Sequence, residues 1–86
     1  MTAIIATTPA ARLLEQAAYL DRRAISLLDR ATHFWGRGCV EMAEHCERES
    51  VRIDAEAHAL KMEAAALEAR EAFIAVLTGV VREIGL

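Results

Sequence analysis

Helix breakers are scarce in this chain: proline occurs once, at Pro9, and glycine four times in 86 residues. So little turn chemistry leaves room for few interruptions of regular structure. Aromatic residues make up only 5%, and the hydrophobic fraction of 55% is carried largely by alanine. Alanine gives up no side-chain entropy in a helix, and the polar residues are mostly Glu, Arg and Gln, so helix is strongly favoured. No run of Lys or Arg exists, the formal net charge is −3, and the Arg22-Arg23 pair is flanked by Asp21 and Asp29. Nucleic-acid binding therefore has no electrostatic footprint.

Other absences narrow the field further. No apolar run approaches the ~20 residues that cross a bilayer. The opening "MTAIIATTPA" has no basic n-region and is not expected to act as a secretory signal. The expectation is a cytoplasmic protein. No CxxC or HxxxH spacing is present, so the usual zinc signatures are missing. Cys39 and Cys46 are seven apart; on one helix that is ~10 Å along the axis, too far for a disulfide. They are expected as two reduced thiols on a buried face.

What is present reads as two helices. Thr8-Pro9 is a start signal, a capping Thr followed by Pro at the first helical position. From there no breaker intervenes until "GRG" at 36–38, and after Cys39 none until Gly79. The expected organisation is one all-α domain over 1–86. It has a flexible arm at 1–8, helix one at 9–35, a turn at 36–38 and helix two at 39–84.

Periodicity then folds the chain. In helix one, Leu13, Ala17, Leu20, Ala24, Leu27, Ala31 and Phe34 step 4-3-4-3-4-3, a heptad seam. Helix two repeats the step through Cys39, Ala43, Cys46, Ser50, Ile53, Ala57, Leu60, Ala64 and Leu67. Closing the hairpin at the glycines pairs Phe34 with Cys39, Ala31 with Ala43, Leu27 with Cys46 and Ala24 with Ser50. The next layers are Leu20 with Ile53, Ala17 with Ala57 and Leu13 with Leu60. Small falls opposite small at alternate layers, which lets antiparallel backbones approach closely. Helix one is slightly basic and the first half of helix two acidic, a weak further preference for this arrangement.

The second helix outruns the first. Its surplus contains "AFIAVLTGVV", residues 72–81, in which nine of ten residues are apolar or glycine. Phe73, Leu77, Val80 and Ile84 form one stripe, and Ile74 and Val81 continue the seam beside it. A helix apolar on most sides must be covered. The cover could be a second copy, a groove on another protein, or the hairpin itself by fold-back; fold-back would need a hinge, which the strong helix formers of "AAALEAREA" at 64–72 oppose. A homodimer is the first expectation. Leu14, Ala18, Ile25, Leu28 and Trp35 lie beside the helix-one seam and suit a bundle of three or four helices.

Chemistry has little to work with. Glu41, His45 and Glu49 share a face, and Asp54 lies four before His58. Such sets can hold metals in helical bundles, but the inward Glu-x-x-His of di-iron bundles is absent. A metal-binding bundle is kept as an alternative to solvated histidines beside acidic neighbours. No cofactor is expected. A two-helix seam offers no pocket for a nucleophile and base, and no enzyme activity is expected. Trp35 at the turn is either a plug at the hairpin tip, the commoner use of a large aromatic, or an exposed anchor for a partner.

A helix, "FWGRG" and a longer helix resemble the small WXG-type helical hairpin proteins exported by type VII secretion systems. Arg37 stands where the strict Trp-x-Gly would have glycine, with Gly38 following; Tyr19 is the only tyrosine, so the family's C-terminal Tyr-then-acid signal is missing. The resemblance rests on Trp35 and Gly36 and implies dimerisation into a four-helix bundle, with export as its consequence. The function expected from the residues themselves is a non-enzymatic interaction module of adaptor, chaperone or inhibitor type. Its contacts with self or a partner protein would be made by Phe73, Ile74, Leu77, Val80, Val81, Ile84 and Trp35.

Overall fold

The computed structural model describes residues 8–85. Two helices make up the fold: α1, Pro9–Gly36, and α2, Val40–Ile84. They pack side by side as an antiparallel hairpin 71 Å long and only 12 Å thick, a single layer of two helices. Of the expected flexible arm at 1–8, residues 1–7 lie outside the described residues. Thr8 is the N-cap of α1 and accepts a 3.1 Å hydrogen bond from the Ala11 amide through its side-chain oxygen, with Pro9 following as predicted.

The turn is built by the glycines. α1 runs through Gly36, one residue beyond the expected end, and Arg37 caps it by donating its amide to Phe34 and Trp35 carbonyls. Gly38 takes φ +77°, a left-handed conformation that a side chain would strain. Cys39 then donates its amide to the Phe34 carbonyl at 2.9 Å. That position corrects one expectation: Cys39 is exposed and caps α2 from outside the helix, so it does not face Phe34 in a seam. Cys46 alone is buried.

The other layers form. Ala17, Ala24 and Ala31 of α1 and Ala43, Ser50 and Ala57 of α2 are all buried, and Ala10 with Ala64 adds a further small layer. The Ser50 hydroxyl donates to the Ala24 carbonyl at 2.9 Å, which fixes that pairing directly and satisfies the one buried polar side chain among the described residues. The core is thin in an instructive way. The alanines are covered completely, whereas Leu13, Leu20, Leu27, Leu60 and Leu67 are only half-buried. Two backbones held close by small residues leave no room between them for leucines, which fold over the flanks instead. Ile53, 1% exposed, is the one large side chain fully enclosed.

The interhelical ion pair among the described residues joins Asp21 on α1 to Lys61 on α2 at 2.8 Å, beyond the acidic stretch that opens α2. Arg52 stays on its own helix, held by Glu49 at 2.7 Å and Glu56 at 2.9 Å. Residues three and four apart on one helix are neighbours, and Arg23 of α1 helps lower the Glu49 carboxyl through its charge without entering an ion pair among the described residues.

Candidate functional site

α1 reaches only as far as the Ala10–Ala64 layer. Leu67 is still half-buried; from Glu68 to Gly85 every residue is exposed. α2 nevertheless continues without a break for 45 residues, so the tail does not turn back on the hairpin. Gly85, at φ +79°, closes the helix by donating its amide to the Arg82 and Val81 carbonyls. Arg82 in the last turn suits the negative end of the helix dipole. The tail is thus a finished helix.

Its surface is unusual. Phe73 is 63% exposed, and Ile74, Val76, Leu77, Val80, Val81 and Ile84 are exposed beside it. Together they offer roughly 700 Å² of apolar area, above the largest patch of an ordinary monomer. Thr78 adds little polarity, because its hydroxyl donates to the Ile74 carbonyl at 2.9 Å and leaves its methyl outward. Val76 was missing from the sequence-derived set. It lies at the edge of the Phe73–Leu77–Val80 arc, and only the tail's lack of any α1 neighbour makes that edge available.

Trp35 belongs to a separate surface. It is 44% exposed and stands beside the seam, where its indole N–H donates to Glu47 Oε2 at 3.0 Å. The plug at the tip is the half-buried Phe34, not Trp35. Trp35 continues the exposed α1 row of Leu14, Ile25 and Leu28. Around Ile25 and Leu28 that row borders an open groove shared with Val51, Asp54 and Lys61 of α2. Trp35 and the tail stripe lie towards opposite ends of the hairpin, so one small partner patch cannot engage both.

Electrostatics along the hairpin are those of solvated side chains. The hydrogen bond from Arg52 holds the Glu49 carboxyl below the usual carboxylate range, partly opposed by desolvation. The bond to Asp21 raises the Lys61 ammonium above its ordinary value. His33, His45 and His58 are all exposed. His33 meets the edge of the Phe34 ring, with centroids 5.9 Å apart. Among the described residues no group of three or more His, Cys, Asp or Glu is placed to share a metal ion. The hollows along the flanks are open grooves, one of them lined by His33, Met42, His45 and Cys46. Among the described residues no helix is long and apolar enough to cross a membrane. No protein-family model matches this sequence, and no curated protein or solved structure is significantly similar to it.

Proposed function

We propose that the chain is a non-enzymatic helical interaction module that works by self-association, its contact surface being the overhanging end of α2. One observation carries this reading: a continuous, capped helix presents seven large apolar residues that nothing in the described chain covers. A surface of that size is a liability in water and an asset in an interface. A short chain with a thin core also gains stability from a second copy, since hairpins of this size are marginal alone. The test is the solution mass of the full chain by sedimentation equilibrium. A mass above the 9.4 kDa of one chain, lost on Phe73→Asp, supports the reading; a monomer at all concentrations removes it.

A second reading follows from Trp35. An exposed tryptophan ahead of Gly36, at the end of the first of two antiparallel helices, is the feature that supports a WXG-like exported protein. Export that depends on a type VII secretion system in the native host would favour it, and retention of the whole pool inside the cell would count against it.

A further inference from the structure

The tail stripe does not begin at Phe73. On α2, Val51, Met62, Phe73 and Ile84 are spaced by eleven residues, and their exposures are 69%, 60%, 63% and 63%. Ala55, Ala66 and Leu77 follow the same spacing, as do Ala69 and Val80, and all are exposed. Eleven residues make three turns of a straight helix, so these side chains stack on one face along ~50 Å. His58, at the edge of that face, is its one polar member. The seam toward α1 steps 4-3 with a seven-residue period, whereas this face steps 4-3-4 with an eleven-residue one. At 100° per residue the two lie on opposite sides of α2. One helix therefore carries two apolar faces, and α1 covers only one of them.

We propose that the second face is the seat of another copy of this chain, with the two α2 helices antiparallel and crossing between Ala66 and Ala69. This rests on the self-association reading above and gives it a register. Three features select that occupant. First, alanines stand at the midpoint of the stripe, Met62 and Phe73 flank them, Val51 and Ile84 close its ends, and the small Ala55 falls opposite the bulky Val80. The register sets Ala66 of one copy against Ala69 of the other, Met62 against Phe73, and Val51 against Ile84. Small residues at a crossing allow close approach, and bulky ones fill the space where the helices diverge.

Second, the register supplies partners for two charges. Glu63 and Arg70 flank the stripe on the same side, and neither enters an ion pair among the described residues. Their own helix offers none, because positions three and four away from each hold only Ala, Leu, Phe or Ile. In the antiparallel pair Glu63 of one copy comes within about 3 Å of the level of Arg70 of the other, at 1.5 Å per residue. The dyad repeats this ion pair. Third, the face exposes roughly 800 Å² per copy, of which about half would be buried, the size of a weak interface. Each overhang then lies against the stretch of the other α2 that is backed by its own α1. Every tail then packs against the other hairpin along its Phe73, Leu77, Val80 and Ile84 face.

The register is tested by charge reversal, with the dimer dissociation constant measured by sedimentation equilibrium. Glu63→Arg and Arg70→Glu are each expected to weaken association about tenfold, by setting like charges together twice per dimer. The double variant E63R/R70E restores the complement and returns to within about twofold of the original. Both positions are exposed, so the hairpin itself is untouched. Dimers indifferent to both reversals, or a double variant no better than the singles, overturn this register while leaving self-association standing. A monomeric unaltered chain overturns both. Cysteines at 55 and 80, introduced as Ala55→Cys and Val80→Cys after Cys39→Ser and Cys46→Ala, give a second measure. The double-cysteine chain should oxidise to a covalent dimer, whereas either single one should not, since each then sits ~37 Å from its own copy.

Discussion

Replacing Phe73 by Asp asks how much the uncovered face contributes. At 63% exposure the side chain leaves about 150 Å² in water. If association covers roughly half of that, the area term is about 2 kcal/mol per copy at ~25 cal/mol per Å². Symmetry counts it twice, giving about 4 kcal/mol per dimer and roughly a thousandfold rise in the dissociation constant. Desolvating two carboxylates adds to the loss. Against this, the isolated hairpin barely notices the change. Phe73 touches no part of α1, and Asp and Phe have similar intrinsic helix propensity.

The two effects separate cleanly in one experiment. Sedimentation equilibrium reads the mass, and far-ultraviolet circular dichroism on the same samples reads the helix content. The unaltered chain should show a concentration-dependent mass and a melting temperature that rises with concentration. The Phe73→Asp chain should sediment as one copy with helix content preserved through α1 and the paired half of α2. Equal dissociation constants for the two chains would refute the reasoning, whatever the oligomer.

Further outcomes follow from the hairpin itself. Ile53→Ala removes the one fully enclosed large side chain and should cost about 2–5 kcal/mol, visible as a large drop in melting temperature; Leu20→Ala, half-buried, should cost distinctly less. Ala57→Leu adds bulk at a fully enclosed position and should destabilise by about 1–3 kcal/mol, although leucine is a good helix former. Gly79→Ala meets open space and should raise tail helicity by about 0.5–1 kcal/mol, read by hydrogen exchange of residues 75–84. Thermal melts across pH should be flat around neutrality. The Glu49 carboxyl is depressed, so its contribution is full above the ordinary carboxylate pKa and fades only as pH falls through its lowered value. The Lys61 ammonium is raised, so the link to Asp21 is full below the ordinary lysine pKa and fades as pH rises through its higher one. Both groups stand in solvent, and a steep pH dependence near neutrality would contradict this account.

The hairpin was legible in the sequence because two heptad seams and one glycine turn overdetermine it. The Ser50–Ala24 hydrogen bond falls in the layer that the seams predict. What the pattern could not show was local geometry. Cys39 fits the seam by number, yet the chain leaves the helix there, since Gly38 needs a left-handed turn immediately before it. Trp35 and Phe34 are adjacent and both large; only the direction of the last turn of α1 decides which one plugs the tip. Ion-pair choice was likewise invisible, because Glu49 and Glu56 sit three and four residues from Arg52 on its own helix, and there its charge goes.

The second face of α2 escaped notice for a different reason. Alanines at 55, 66 and 69 look like helix-propensity filler, and a seven-residue template fitted to the α1 side assigns them to the outside. Only when the exposures of Val51, Met62, Phe73 and Ile84 prove nearly equal does the eleven-residue period appear. The two periods then assign the two halves of the helix different work. A seven-residue repeat drifts around a straight helix and suits a partner that wraps with it, as α1 does. An eleven-residue repeat drifts the opposite way, and more slowly per residue, and suits a partner that crosses with the opposite hand. A helix that needed only to close its own hairpin has no use for the second period. Its presence over 34 consecutive positions, Val51 to Ile84, is the pattern expected of a helix that packs on two sides.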